Sequence, residues 1–440
     1  MGTVTTSQRE RVDLSLDSAA TAPPPAAENG ILIVGAGLAG LSLALALARR
    51  GVKTTVLEKQ SRISPSKWAI LVYPQGLKFF DELGVLDDMK SLGMPSKAAE
   101  VATVEGKSLM ISEDGLLFEN KYNSHLLLGP SEMRQVFMTH VRASGVQILQ
   151  GLSCKGLVRD RDGRIAGVKV SRQGGEASEE SQISCKLLVG ADGYKSNLRK
   201  EFFVKTRERL HDSLVTAFFV NYNHNLDRMK MLLGDGYMIV VLPCTERRLC
   251  LGYTEKGLTS KSLDANGGEE YVKSRIESAL PYLSGAIRDS SPKLSDGSMT
   301  SFQPAVVSVT PWIVEGGVLI GDAAHSFHPG TGSGAQQALA DSLALAPILE
   351  RCARTNDFSL STLSEYEKTR SPLVGLLQSS GELTVSMELA RGKFKRWFRN
   401  RFFRTANKLI VRKEYQEVFS GMRPPTRSES FSMILRLFLP

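Results

Sequence analysis

The stretch Gly30–Glu58 reads GILIVGAGLAGLSLALALARRGVKTTVLE, two short apolar runs on either side of a glycine turn and an apolar helical pattern. Ile31–Val34 has strand length, and Gly35, Gly37 and Gly40 follow at G-x-G-x-x-G spacing. Helical spacing then continues through Leu41, Leu45 and Leu47, and a second β-rich run, Val52–Leu57, ends on Glu58. This is the strand-turn-helix-strand order of a dinucleotide site. Gly35 permits the tight turn, Gly37 lets the backbone approach a pyrophosphate, and Gly40 lets the helix pack closely on the strand. Leu38 and Ala39 complete the turn, and the N–H groups of the helix start face the phosphates. Glu58, eighteen residues past Gly40, is placed to accept hydrogen bonds from a ribose, with Lys59 beside it.

Bulk properties are those of a globular chain. Its 440 residues allow two to three domains with ample core, and 42% apolar with 23% charged residues fits that class. Five cysteines, odd in number and without a C-x-x-C pair, argue for a reducing compartment and against a disulfide frame or a metal site. The expected location is cytoplasmic, with membrane association left open. Residues 1–29 are rich in Ser, Thr, Ala and Pro and lack a secretory pattern, so a disordered leader is expected. No apolar stretch reaches spanning length.

The net charge of +9 is local. Residues 391–413 hold ten Lys or Arg and no acid, which more than accounts for it, so the rest of the chain gives no argument for nucleic-acid binding.

Further along, Trp68–Tyr73 reads as a strand, Gly76–Leu86 as a helix, and residues 98–128 as hairpins. Ser131–Ser144 has helical spacing and ends at Gly145, and short strands follow to Cys185–Val189. Val215–Tyr222, Met229–Leu233, Tyr237–Pro243 and Arg248–Thr254 read as an antiparallel sheet, with a helix over Glu269–Leu280. Trp312–Gly321 returns as an apolar strand, and Ala335–Arg351 and Leu363–Leu389 are helical. The expected class is α/β. It comprises a Rossmann-like domain over 30–202 and 306–352, an antiparallel-sheet substrate domain over 203–305, and a helical C-terminal region over 353–440.

Three later runs narrow the ligand: LLVGADGYKSNLR at Leu187–Arg199, VLIGDAAHSFHPGTGSGAQQALAD at Val318–Asp341, and YEKTRSP at Tyr366–Pro372. In this order the set resembles the single-component, or class A, flavoprotein monooxygenases of the p-hydroxybenzoate hydroxylase type, over residues 30–375. The resemblance implies that Gly321 and Asp322 meet the ribityl chain of FAD. It likewise implies that Asp192, with Gly193, serves FAD and NAD(P)H binding. Pro329, Gly332, Ser333, Gly334 and Ala335 match the loop beside the flavin ring, although the family commonly has Gln where Ser333 stands. A glycine-rich loop opening a helix puts N–H groups and a positive dipole end beside the flavin edge that becomes negative on reduction. Arg134 matches an arginine near the FAD pyrophosphate, and a solvated helix arginine would look the same. Lys67 stands roughly where the family has an arginine near the cofactor, with a solvated loop lysine as the competing reading.

The family reaction uses NADPH or NADH to reduce FAD. Oxygen then adds at flavin C4a, and the resulting hydroperoxide oxygenates an activated aromatic or an alkene. The implied protein is an FAD-dependent hydroxylase or epoxidase of a lipophilic, aromatic small molecule in specialised metabolism. Two other functions stay open: a flavin reductase of isoprenoid double bonds and a non-catalytic prenyl carrier on the same fold. A flavin halogenase would show a W-x-W-x-I-P run, which is absent. His328 and Tyr237 are the candidate catalytic side chains, while His325 in the Asp-Ala-Ala-His run is expected to make a structural hydrogen bond. Tyr73, Tyr253 and His211 are candidates for the pocket wall. The Met-rich segment Met229–Met238 suits a bulky apolar substrate and equally suits sheet core. At the C-terminus, residues 391–413 and 431–440 mix cations with aromatic and aliphatic residues. They read either as an interfacial membrane contact or as a tail packed on the protein's own body.

Overall fold

The computed structural model describes residues 30–113, 121–172, 180–202 and 204–410. The expected leader and the segment 431–440 lie outside these residues.

Strand Ile31–Val34 pairs in parallel with Leu187–Gly190 on one side and Thr55–Glu58 on the other. Gln147–Gln150 and Gly317–Leu319 extend this core in parallel, and Ile313–Val314 closes one edge antiparallel, giving six strands. The inner strands are buried on both faces, which is why they read as unbroken apolar runs. Helix Leu38–Ala48 packs against helices Pro130–Ala143 and Gly334–Thr355. The last contact is close because small residues line it: the Ser42 and Ser342 hydroxyls meet at 2.7 Å, and Ser342 also donates to the Ala39 carbonyl at 3.0 Å. The two ends of the family pattern, some 300 residues apart, are thereby joined.

The second layer is a seven-stranded sheet in the order Met299–Phe302, Ser213–Asn221, Arg248–Lys256, Tyr237–Thr245, Met229–Leu233, Ala98–Thr103, Ser108–Glu113. Helices Ser260–Ala265, Glu269–Ala279 and Ser284–Ser290 follow strand Arg248–Lys256, and side chains of all three join the core on one face of this sheet. Two of its strands come from residues 98–113, before the substrate domain expected to start at 203. Lys205–Leu210 and Ala305–Thr310 pair antiparallel where the chain leaves and re-enters the first layer.

Two local expectations are corrected. The single helix read over Gly76–Leu86 is two, Pro74–Glu82 and Leu86–Leu92, divided at Gly84, whose φ of +59° cannot continue a helix. The strand read over Trp68–Tyr73 is only Ile70–Val72. C-terminally, helix Leu360–Glu388 is followed by helix Lys393–Ile410.

Candidate active site

The glycine turn is built as its spacing requires. Gly35 sits at φ +110°, and a Cβ there would collide with the Ala191 carbonyl. A Cβ at Gly40 would collide with the carbonyl of Gly35. Gly37 differs: nothing of the protein lies within 4 Å of the position its Cβ would take. The turn is packed from behind at Gly35 and Gly40 and open in front at Gly37.

At the end of the second strand, Glu58 is buried, and its carboxylate accepts from the backbone N–H of Ala36 at 2.8 Å and of Gln60 at 2.8 Å. Arg134, from helix Pro130–Ala143, lies 3.1 Å from that carboxylate and donates to the Ala36 carbonyl at 2.5 Å and to Gln60 Oε1 at 2.7 Å. Arg134 is thus part of the glycine turn's rim, and the solvated reading is set aside. Lys59 is exposed beside it. Lys67 stands elsewhere, its ammonium beside Gly297 of the second layer.

The Asp-Gly and Gly-Asp motifs are clasped together by Arg199. This buried guanidinium donates to the carbonyls of Tyr194 at 2.7 Å and Ala323 at 3.0 Å, tying residues 194 and 323. Asp192 Oδ2 accepts from the N–H groups of Asn197 and Leu198 at 2.9 and 3.2 Å, and its buried Oδ1 has no partner in the protein. Gly321 rests on Ala39 of the glycine turn. Asp322 has an exposed side chain, yet the protein around it removes enough solvation to raise its carboxyl; the Asp341 charge adds to this, while His325 and Arg199 oppose it.

The loop that follows starts with the turn Pro329–Thr331, passes through Gly332 at φ +61°, and opens helix Gly334–Thr355. The Tyr73 ring lies against Gly332, so this pocket candidate is beside the loop. His328 is buried and uses both ring nitrogens. Nδ1 accepts from the Gly330 N–H at 3.0 Å, and Nε2 meets Ser213 Oγ at 3.3 Å. An Nδ1 that accepts an N–H carries no proton, so Nε2–H donates to Ser213, whose Oγ also meets His211 Nδ1 at 2.8 Å. Burial, reinforced by His211, lowers the His328 pKa to about 3 and keeps it neutral. His328 therefore fastens the loop to the sheet, a positioning role in place of the catalytic one expected.

Strand alternation decides which sheet residues face this loop. Ser213 reaches His328, Met238 touches Gly330, and Cys250 Sγ accepts from the Ala69 N–H at 3.3 Å. Their cross-strand partners share that face: Val215 with Thr254, Ala217 with Gly252, Phe219 with Cys250, and Val240 with Gly252. Its charged groups are Lys256, the cross-strand partner of Ser213, and Arg248, whose guanidinium lies 3.9 Å from the Phe219 ring centroid; burial pushes the Cys250 thiol up to about 12. Tyr237 is one residue out of phase. Its ring lies on the opposite, helix-covered face, near Tyr253 and with the Arg275 guanidinium 4.2 Å above it. Tyr253 is there too, hydrogen-bonded to Glu255. The catalytic expectation for Tyr237 and the pocket expectation for Tyr253 are both corrected by this parity. The methionines Met229, Met231 and Met238 are buried sheet core.

Sequence reading passed over one group. Asp341, 0% exposed, accepts from the Gly321 N–H at 2.9 Å and meets His325 Nε2 at 2.7 Å and Arg370 Nε at 2.9 Å. His325 has the structural bond expected of it. Arg370 comes from the YEKTRSP run, and the polar Asp341 inside an apolar helix face was the available signal. Gln378 is similar, donating to the carbonyls of Val307 at 2.7 Å and Ser326 at 2.9 Å.

These residues fit FAD. Nothing of the protein stands in front of Gly37, the buried Asp192 Oδ1 is left without a partner, and the Asp322 carboxylate lies beside the helix start at Gly334. Among the described residues no cluster of His, Cys, Asp or Glu suits a metal ion.

Comparison with known proteins agrees. The FAD binding domain family matches residues 28–378. The chain is 24% identical over 416 residues to 2-heptyl-3-hydroxy-4(1H)-quinolone synthase of Pseudomonas aeruginosa, covering 89% of this chain and 98% of that one. It is 27% identical over 354 residues to 6-methylpretetramide 4-monooxygenase of Streptomyces rimosus, covering 79% and 82%. The crystal structure of p-nitrophenol 4-monooxygenase from Pseudomonas putida superposes with a TM-score of 0.75 at 20% identity, covering 90% of this chain and 99% of that one. With motifs, turn geometry and family match in agreement, the chain belongs to the FAD binding domain family and to the class A flavoprotein monooxygenases that its motifs resemble.

Proposed function

We propose that this enzyme uses FAD, NADPH or NADH, and O2 to hydroxylate or epoxidise a lipophilic, aromatic small molecule in specialised metabolism. The observation that carries the reading is the flavin-type loop facing a sheet surface of Val215, Ala217, Phe219, Val240 and Gly252. Such a wall recognises a substrate mainly by apolar contact and shape, with the Arg248 guanidinium over the Phe219 ring as its nearby charge. The relatives named above are consistent with it.

Bound FAD would supply the oxygen transfer, after reduction by the nicotinamide. The protein's contributions are positional. Glu58 and Arg134 would hold the adenosine end, the N–H groups opening helix Gly334–Thr355 would face the flavin edge, and His328 fixes the loop that leads into that helix. The apolar wall excludes water from the reacting face.

The test is NAD(P)H oxidation and O2 uptake across a panel of lipophilic aromatics and alkenes. A monooxygenase consumes O2 in step with substrate, whereas a reductase of isoprenoid double bonds consumes none. A purified protein with no absorption bands near about 370 and 450 nm, even after FAD addition, would leave only the carrier reading.

A further inference from the structure

Helix Lys393–Ile410 has two unlike faces. The inner one docks on the body. Arg399, 2% exposed, donates to the Gly234 carbonyl at 2.7 Å. Asn407 Oδ1 accepts from the Ile111 N–H of the sheet's edge strand at 2.8 Å, and Phe403 and Ala406 are buried. Arg396 of the helix pairs with Asp235, and the exposed Arg391 just before the helix lies 3.8 Å from Glu255. The helix thus covers an edge that would otherwise be open for pairing.

The outer face is different. Lys393, Phe394, Trp397, Arg401, Arg404 and Lys408 fall within an arc of about 100° at helical spacing. Phe394 is 78% and Trp397 59% exposed, and their rings stack at 6.2 Å. Lys393, Arg404 and Lys408 are exposed around them, and residues 391–413 hold no acid.

We propose that this face rests on a bilayer surface with anionic headgroups. Cations alone would suit any polyanion. An exposed stacked Phe–Trp pair in their midst adds what a headgroup–acyl boundary rewards, aromatic rings at the interface with cations at lipid phosphates. A second copy of the chain is the wrong partner for this face, because a two-fold contact would set its cations against one another. No helix among the described residues is long and apolar enough to cross a membrane, so the contact is peripheral.

Sedimentation of the full-length, FAD-loaded protein with vesicles tests this independently of turnover. Binding is expected to phosphatidylcholine vesicles containing phosphatidylglycerol, with little to phosphatidylcholine alone, and it should weaken with salt. The variants Phe394→Ser/Trp397→Ser and Lys393→Glu/Arg404→Glu should each reduce partitioning by at least about tenfold, with melting temperature and flavin absorbance retained. The proposal is overturned if wild type ignores both vesicles at low salt, or if the variants bind like wild type. It is equally overturned if wild type dimerises through this face and the Phe394→Ser/Trp397→Ser variant is monomeric, or if it binds heparin and not vesicles.

Discussion

Asp341 Oδ1 and Arg370 Nε stand 2.9 Å apart in a site closed to water, joining the helix that starts at the flavin-type loop to the long C-terminal helix. The other carboxylate oxygen is shared by His325 and the Gly321 N–H. Burial alone would raise the Asp341 carboxyl. His325 and Arg370 outweigh it and hold the group at about 2. Between the ordinary value of 3.8 and about 2, the unfolded chain binds a proton that the folded chain does not. This contribution to stability is therefore complete above pH about 4 and lost as pH falls toward 2. Asp341→Ala leaves Arg370 buried without its counterion and should cost about 3–5 kcal/mol in urea unfolding.

Gly37 and Gly40 separate packing from cofactor binding. Gly40→Ala puts a methyl into the Gly35 carbonyl, so unfolding midpoint and flavin content should both fall. Gly37→Ala meets no protein atom within 4 Å. It should melt like wild type and still lose FAD, read by absorbance after gel filtration. An FAD-replete Gly37→Ala protein would refute the placement of the pyrophosphate.

Glu58 and Arg134 should act together. Glu58→Gln keeps one acceptor for the Ala36 N–H but removes the charge facing Arg134. A hydrogen bond to a charged group contributes about 1.5–3 kcal/mol, so titration should show FAD affinity falling about tenfold or more. Arg134→Ala should weaken FAD similarly, and the double variant should lose less than the sum of the two losses.

Much of this architecture was legible before any coordinates. The turn Gly35–Gly40, Glu58, the Asp192 and Gly321 motifs and the structural bond of His325 follow from residue type at short spacing, where local geometry leaves few alternatives. Tyr237 and His328 were misread because their roles depend on strand parity and on partners over 100 residues distant, such as Ser213 for His328. Asp341, and the clasp made by Arg199 at the end of the Leu187–Arg199 run, escaped for a related reason. A buried charge is recognisable only once its partners are assembled around it, and their spacing in sequence carries no period. The hairpin strands of residues 98–113 were seen, but their membership of the second layer depends on a parallel pairing with Met229–Leu233 that no local pattern encodes.

His328 gives a second, separate pH window. Its value is lowered from 6.5 to about 3 by burial first and His211 second. Between those values the unfolded chain takes up a proton that the folded one refuses, so stability falls as pH drops from about 6.5 toward 3 and is complete above it. His211 shifts in the same direction, by burial first and then Arg209, and adds to the slope. His328→Asn should flatten the stability-versus-pH curve in this window by at most about 1.4 kcal/mol per pH unit. The slope below pH 4 that belongs to Asp341 should remain.

Tyr237 and Ala217 test which sheet face meets substrate. Tyr237 packs beneath Arg275 on the helix-covered side, so Tyr237→Phe, which keeps the ring, should leave turnover within about twofold of wild type. Ala217 lies opposite Gly252 on the face shared with Met238 and Ser213. Ala217→Trp fills that wall and should raise KM for a bulky aromatic by about tenfold or more, while flavin content stays at the wild-type level. Steady-state kinetics on any substrate that stimulates NAD(P)H oxidation decides between the faces. A Tyr237→Phe enzyme with turnover abolished and an Ala217→Trp enzyme unchanged would place the substrate on the helix side of the sheet, away from the loop that His328 holds.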